Sequence, residues 1–316
     1  MLKNEILKQL LDSEGSFVSG EALAVKNSVS RNAVWKAISS LKKDGYKIAS
    51  AHNRGYCFLG GSDVLSTTEV CRYLENKCLD VAVFEEIDST NSEAKRVVSR
   101  GLTNTTLIIA DSQTSGRGRL GRSFYSPKGT GVYFSYVYKP KTGLASGVAV
   151  TSAAAVAVCR AIKEVTGLQG KIKWVNDIYI EGKKVCGILC EAITELSSEM
   201  AQCIIVGIGI NVSTVDFPDE LTAKAGSLRV KNVDRNRLVA GVVNHLETLI
   251  QGLDKRTFIG EYRKLSLVTG KAITYIKSGV ETKAVAVAID DDGGLVVRHS
   301  DGTETTLNTG EISVKL

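Results

Sequence analysis

The 316-residue chain reads as an α+β protein of three successive units, and three observations carry that reading. Its first sixty residues show three helical apolar patterns followed by a short alternating pair of strands. The middle alternates strand-like runs with helices, one of them almost wholly apolar, and the tail is a series of short strands between glycine and aspartate turns. The expected divisions are 1–62, 63–268 and 269–316.

In the first unit, LKNEILKQLLDSEG places Leu2, Ile6 and Leu10 at helical spacing, and SGEALAVK forms a short second helix. The third helix lies in NSVSRNAVWKAISSLKKDG. Ser30 is its N-cap, Val34, Ala37, Ile38 and Leu41 form its apolar stripe, and Gly45 ends it. Arg31, Asn32, Lys36, Ser39 and Lys43 are left facing outward. YKIASAHNRGYCFL then makes two strands with Arg54 at the turn. This is the order of a winged helix-turn-helix, whose third helix enters the DNA major groove; a small helical bundle with a solvated basic face fits the same spacing. Nine Lys or Arg stand against six Asp or Glu between Met1 and Asp63. Ser30, Arg31, Asn32, Lys36 and Arg54 are the candidate DNA contacts.

GGSDVLSTTEV suits a linker. Beyond it, FEEID, TTLIIADSQ and GVYFSYVYKP read as strands, with a capped helix over STNSEAKRVVSRG. SGVAVTSAAAVAVCRAIKEVTG is a helix that only a core can accommodate. KIKWVND, IYIEGKKVCGILCEA and AQCIIVGIGINV supply further strands, the second turning at Glu181 and Gly182. Two helices fall between Arg235 and Leu265, and four or five short strands come after them from Thr269.

Composition narrows the function classes. No run approaches the roughly 18 apolar residues of a membrane span, and no opening segment has the form of a secretory signal, so the expected location is the cytoplasm, with no membrane partner. Seven cysteines without a C-x-x-C pair point to reduced thiols rather than disulfides or zinc. Cys186 and Cys190, four residues apart on a strand with no histidine nearby, do not converge on a metal. The net charge of +6 favours anionic partners without selecting one.

Gly116 to Arg122 read GRGRLGR, which satisfies G-x-G-x-x-G. A dinucleotide turn requires a helix immediately afterwards, whereas the next residues here include Pro127 and Gly129 and then take up strand periodicity. The loop is instead three arginines among three glycines: backbone amides can approach an anion while Arg117, Arg119 and Arg122 supply charged donors. A phosphate or carboxylate is the ligand such a loop suits; a flexible basic surface loop is the alternative.

DSTN at Asp88 to Asn91, GRGRLGR, KWVND at Lys173 to Asp177, KKVCGIL at Lys183 to Leu189 and GIGINV at Gly207 to Val212 together resemble, in order and spacing, the biotin protein ligases. SRNAVWKAISSLKKDGY and the RGY of the wing are similar to the DNA-binding unit of the bifunctional members, which are also biotin operon repressors. The resemblance implies an N-terminal winged helix-turn-helix, a central mixed-sheet ligase unit with packed helices and a small C-terminal SH3-like β-barrel. It implies that ATP, with Mg2+, and biotin give biotinyl-5′-AMP, from which biotin passes to a lysine of biotin carboxyl carrier protein. Operator DNA and a homodimer formed when biotinyl-5′-AMP is bound are the further partners it implies.

By the same resemblance, Lys184, Arg119, Arg117 and Asp177 carry the chemistry. Arg119 neutralises the biotin carboxylate, Arg117 and Arg122 fold over phosphates, and Lys184 binds the oxygens of the forming acyl-phosphate. Ser89, Thr90 and Gln113 match the positions that hydrogen-bond the ureido ring, Asn91 and Gly116 are further biotin-binding positions, and Gly187 and Gly207 allow close backbone approach. Phe124, Lys173, Asn176, Asp177 and Asn211 attend the nucleotide, Asp177 also helping to place Mg2+. Val175 stands where the family has proline, which loosens the turn, and Phe124 beside Tyr125 stands where many members have tryptophan, either ring being able to stack on adenine. A lipoate-type ligase, and a DNA-binding regulator that senses biotin without ligase activity, are the competing readings.

Overall fold

A computed structural model describes residues 2–13, 15–60, 64–140, 147–194, 201–277 and 280–314. The first unit conforms closely to the apolar spacing. Helices α1 (Leu2–Asp12), α2 (Gly20–Lys26) and α3 (Arg31–Lys43) pack around Ile6, Leu10, Leu23, Val34, Ile38 and Leu41, all essentially inaccessible to solvent. The Ser30 hydroxyl accepts from the Ala33 amide at 3.2 Å and caps α3, and Gly45 turns the chain away with φ +100°, a conformation that costs glycine little. Strands β1 (Ile48–Ala51) and β2 (Gly55–Phe58) pair antiparallel as the wing.

The expected linker is shorter than GGSDVLSTTEV. Residues 61–63, and with them the boundary at 62/63, lie outside the described residues, and Thr67–Tyr73 is already a helix, α4, capped by the Ser66 hydroxyl at 3.2 Å from the Glu69 amide. The serine and threonine content that suggests a linker is here a helix cap and first turn.

The central unit is built on a seven-stranded mixed sheet. It comprises β3 (Asp80–Ile87), β4 (Thr106–Gln113), β5 (Gly131–Tyr138), β6 (Lys171–Lys173), β7 (Asp177–Ile180), β8 (Lys183–Thr194) and β9 (Ala201–Asn211), in the spatial order β3-β4-β5-β9-β8-β7-β6. Only the β3–β4 pair among these is parallel, because helix α5 (Thr90–Ser99) crosses between them. The expected strand FEEID is the end of a longer one, since Val81 and Val83 continue the alternation upstream.

Helix α6 (Gly147–Thr166) packs on one sheet face beside α8 (Arg235–Gln251), with α4 and α9 (Ile259–Leu265) flanking, and its alanines and valines are buried on nearly every side. Helix α5 covers part of the opposite face through Ala94 and Val98 against Ile108, Val137 and Ile205. Both central residues of the β7–β8 turn, Glu181 (φ +49°) and Gly182 (φ +75°), are left-handed, the conformation a two-residue hairpin needs. A four-residue helix, α7 (Asp219–Thr222), comes after β9.

Strands β10 (Ala272–Lys277), β11 (Val280–Ile289), β12 (Leu295–Arg298), β13 (Glu304–Leu307) and β14 (Glu311–Val314) form an antiparallel sheet in the order β13-β12-β11-β10-β14, compatible with a small SH3-like unit. This sheet is joined to the central core: Trp174 Nε1 donates to the Gly293 carbonyl at 2.9 Å in a buried contact. The same turn is held by Tyr262, whose hydroxyl donates to the Val175 carbonyl at 3.1 Å. Val175 itself is buried, so the turn expected to loosen without proline is pinned from both sides.

Candidate active site

The floor of the site comes from two central strands whose glycines lie opposite one another. Gly187 of β8 pairs with Gly209 of β9, and Leu189 pairs with Gly207. Side chains would fill this surface: a Cβ on Gly209 would stand 2.5 Å from the Phe124 ring, and one on Gly207 would stand 2.0 Å from Asn91 Oδ1. The absence of side chains therefore makes the hollow, and the Phe124 ring stands over its glycine floor.

One end is lined by a connected set of polar groups. The Thr90 amide donates to Gln113 Oε1 at 2.9 Å, and Gln113 Nε2 donates to Ser126 Oγ at 2.8 Å. Ser135, wholly buried on β5, has its hydroxyl 2.8 Å from Thr90 Oγ1 and 2.6 Å from Asn91 Oδ1. Asn91 Nδ2 reaches Glu191 Oε2 at 2.8 Å, and Lys95 Nζ is 2.7 Å from the other oxygen. Burial works against the Glu191 carboxylate, but the hydrogen bonds from Lys95 and Asn91 outweigh it and hold its pKa below the usual range. Ser89 begins α5 without a side-chain cap bond, so its buried hydroxyl is not committed to the helix end. Asp88 sits outside this set, paired with Arg96 at 2.7 Å.

The arginine loop crosses above. It closes on itself through Gly118 N to Arg122 O at 2.7 Å and Phe124 N to Gly116 O at 2.8 Å. Gly116 lies behind the wall rather than on it, and a Cβ there would be 2.4 Å from the Phe124 carbonyl oxygen. Arg119 is braced at both ends of its fork: Nη1 donates to Asn176 Oδ1 and Nη2 to the Gly310 carbonyl, each at 2.9 Å. Asn176 in turn donates to the Ile188 carbonyl at 2.9 Å, tying the loop to β8. Arg117 and Arg122 are exposed at the rim, and Leu120 holds φ +55° at the loop tip, 75% exposed.

Opposite Arg119, Lys184 Nζ pairs with Asp177 Oδ1 at 2.7 Å across the β7–β8 hairpin. Lys173 stands 5.9 Å from the Tyr179 ring centroid on the same side. Beyond them the chain from Lys224 to Gly226 runs along Lys184, with bonds of 2.9 and 2.8 Å to its backbone amide and carbonyl. Asn211 Nδ2 donates to the Gly226 carbonyl at 3.0 Å while its buried Oδ1 has no partner, and Tyr125 and Phe217 pair at 6.2 Å beside it.

These groups share one cavity of about 720 Å³. Ser89, Thr90, Asn91, Gln113, Arg117, Arg119, Arg122, Phe124, Lys173, Asn176, Asp177, Lys184, Gly187, Gly207 and Asn211 all line it, leaving Gly116 alone of the expected site residues behind its surface. Its last wall is Ile312, Ser313 and Val314 of β14. No group of three or more His, Cys, Asp or Glu that could hold a metal occurs among the described residues, and burial pushes the Cys190 thiol up to about 11 and that of Cys186 well above its ordinary value.

Sequence reasoning missed Ser135, Glu191, Lys95 and Ser126, which come from four separated segments and have no local signal. It also missed Phe217 and the β14 wall. The one available hint was Tyr125 beside Phe124, and both rings line the same cavity.

At the other end of the molecule Arg31, Asn32 and Lys36 are exposed on α3. Arg31 lies 3.6 Å from Glu21, and the Arg54 guanidinium rests 4.3 Å above the Phe17 ring.

Residues 83–211 match the Biotin/lipoate A/B protein ligase family, residues 3–57 an HTH domain and residues 268–315 the Biotin protein ligase C terminal domain. The class is thus a protein ligase carrying a helix-turn-helix. The chain is 32% identical over 317 residues to the Bifunctional ligase/repressor BirA of Bacillus subtilis, covering 95% of each, and 27% identical to that of Escherichia coli, covering 96% of this chain and 94% of the other. A solved biotin protein ligase from Aquifex aeolicus in complex with biotin and ATP is similar over 75% of this chain and 98% of its own, with TM-score 0.64 and 27% identity. The chain belongs to the family of bifunctional BirA ligase/repressors.

Proposed function

We propose that this protein joins biotin to AMP at the expense of ATP, transfers biotin to a lysine of biotin carboxyl carrier protein, and represses transcription by binding operator DNA in a biotin-dependent way. The observation that carries the ligase half is the shared cavity, in which Arg119 and the Lys184–Asp177 pair face one hollow floored by glycine strands.

In the first half reaction a biotin carboxylate oxygen attacks the α-phosphorus of ATP and pyrophosphate leaves with the bonding electrons. Two anions must approach, and fixed cations that need no rearrangement lower that barrier. Arg119, already held in place by Asn176 and Gly310, meets the carboxylate, and Lys184 meets the oxygens shared by the new acyl-phosphate. Arg117 and Arg122, at the exposed rim, close over the phosphates. In the second half reaction the carrier amine attacks the acyl carbon and AMP departs.

Ser89, Thr90 and Gln113 hold the ureido head with Asn91 beside them, Thr90, Asn91 and Gln113 being fixed by their hydrogen bonds and the Ser89 hydroxyl uncommitted to the helix end, and Gly187 and Gly207 let backbone approach, while Gly116 lies behind the wall and brings the loop against Phe124. The unpartnered Asn211 Oδ1 suits the exocyclic amine of adenine, and the Tyr125–Phe217 pair supplies the stacking face, in place of Phe124. Lys173 and Asn176 serve the phosphate side. Mg2+ fits here only as an ion carried by the phosphates with Asp177 as a carboxylate partner, which is its ordinary mode of binding nucleotides.

The domain divisions 1–62, 63–268 and 269–316, dimerisation with bound biotinyl-5′-AMP, and a cytoplasmic location belong to the same reading. The divisions are supported by the three matched segments, and the location by seven free cysteines. Ser30, Arg31, Asn32, Lys36 and Arg54 form the DNA face. Mass spectrometry of the purified protein after incubation with biotin and ATP tests the ligase half: retained biotinyl-5′-AMP is expected, and pyrophosphate release with lipoate but not biotin would overturn it.

A further inference from the structure

The recognition helix carries one residue that neither its packing nor its charge explains. Trp35 is 57% exposed, although the helix buries its apolar stripe completely on the other side. A single exposed apolar side chain is ordinary on a protein surface; what distinguishes Trp35 is its place on the outward face of α3 beside Arg31, Asn32 and Lys36. The indole stands in a cleft of about 790 Å³ between α3 and the wing, where its neighbours include Arg31, Asn32, Ser50 and His52. Helix α3 has Arg31, Lys36, Lys42 and Lys43 and no acidic residue along its length.

The lining of the cleft also includes Tyr56 and one acid, Glu21, which pairs with Arg31 at 3.6 Å; the exposed indole among cationic and amide side chains of α3 is suited to the major groove, where phosphates take the cations and one base alone presents an apolar group. That group is the thymine C5-methyl, and asparagine is the side chain that pairs bidentately with adenine. Asn32 and Trp35 are three residues apart, neighbours on one helix face. We infer that Trp35 is a sequence-reading residue that packs against a thymine methyl, so that this helix selects A·T pairs in its half-site. The inference rests on the DNA-binding half of the proposed function and names the base that half would read.

The test uses the full chain with biotin and ATP. Duplexes are selected from a random-sequence pool, and the affinity of a selected duplex is compared with that of versions in which each thymine is replaced in turn by uracil, which removes only the methyl group. At least one replacement should weaken wild-type binding about three- to tenfold, and the same replacement should leave Trp35→Ala unaffected. Trp35→Ala should bind the selected duplex about tenfold more weakly but random-sequence duplex as tightly as wild type, and Trp35→Phe should restore much of the loss. If every uracil duplex binds wild type like its parent, or if the uracil penalty persists undiminished in Trp35→Ala, the inference falls while DNA binding stands. If no duplex is enriched, the repressor reading falls and takes this inference with it.

Discussion

Arg119→Ala separates what the arginine does for the ligand from what it does for the fold. In the folded chain its guanidinium makes two hydrogen bonds, to Asn176 Oδ1 and to the Gly310 carbonyl. Each is partly open to water, so their combined loss should cost about 1–2 kcal/mol of stability, visible as a lowering of the unfolding midpoint by about 2–6 °C. The ligand effect is larger. A charge-assisted bond to the biotin carboxylate contributes roughly 1.5–3 kcal/mol, so biotin should bind about 10- to 100-fold more weakly. Thermal unfolding measures the stability loss, and titration calorimetry with biotin alone measures the loss of affinity. Asn176→Ala removes one brace without removing the charge, and should reproduce part of the stability loss with a smaller loss of biotin affinity. Biotin affinity within threefold of wild type in Arg119→Ala, with the protein folded, would refute the assignment.

Lys184→Ala should abolish adenylate formation, losing at least about a thousandfold in pyrophosphate release, while biotin binding persists; release at the wild-type rate would remove its role. Gly207→Ala puts a methyl group 2.0 Å from Asn91 Oδ1 and must displace the Asn91–Ser135–Glu191 set, so biotin affinity should fall at least tenfold with a stability loss of about 1–3 kcal/mol. Lys36→Ala should weaken all duplex DNA alike and reduce the salt slope by about 1, which binding at several salt concentrations reads directly. Glu69 is buried in α4, and burial first, then the nearby Asp234, push its carboxyl up to about 7, with Arg72 opposing. Because the folded state favours the protonated acid, its contribution to stability is complete below the unfolded pKa and disappears as pH rises through about 7. Glu69→Gln should therefore flatten the decline in unfolding midpoint between about pH 4.5 and 7 that wild type shows, and an identical decline in both would defeat the reasoning.

Local order was legible in the chain wherever the physics is local. The cap at Ser30, the apolar stripe of α3, the left-handed pair at Glu181 and Gly182, and the buried helix from Gly147 each result from spacing and conformational preference within a few residues. The arginine loop's bias toward an anion could be read from the chain because its three cations stand among glycines with no acid between them. What joins the parts was not. Ser135 looks like any strand residue until Thr90 and Asn91 are brought against it, Glu191 gains its meaning from Lys95, and Thr67 reads as linker until Asn236 takes the Ser66 amide at 3.0 Å. Phe124 shows the limit most plainly: nothing in its neighbours along the chain says that its ring is seated over the glycines of β8 and β9.

The contact between Arg119 and Gly310 spans 191 positions of the chain. A fragment running from Asp88 to Val212 contains every motif by which the catalytic unit is recognised, yet its hollow lacks the walls supplied by Phe217 to Ala225 and by β14, and Arg119 keeps only one of its two hydrogen bonds. Possession of the signature and possession of a finished enzyme are therefore different conditions, and cleavage between the last helix and the terminal sheet would silence the protein without touching a single signature residue.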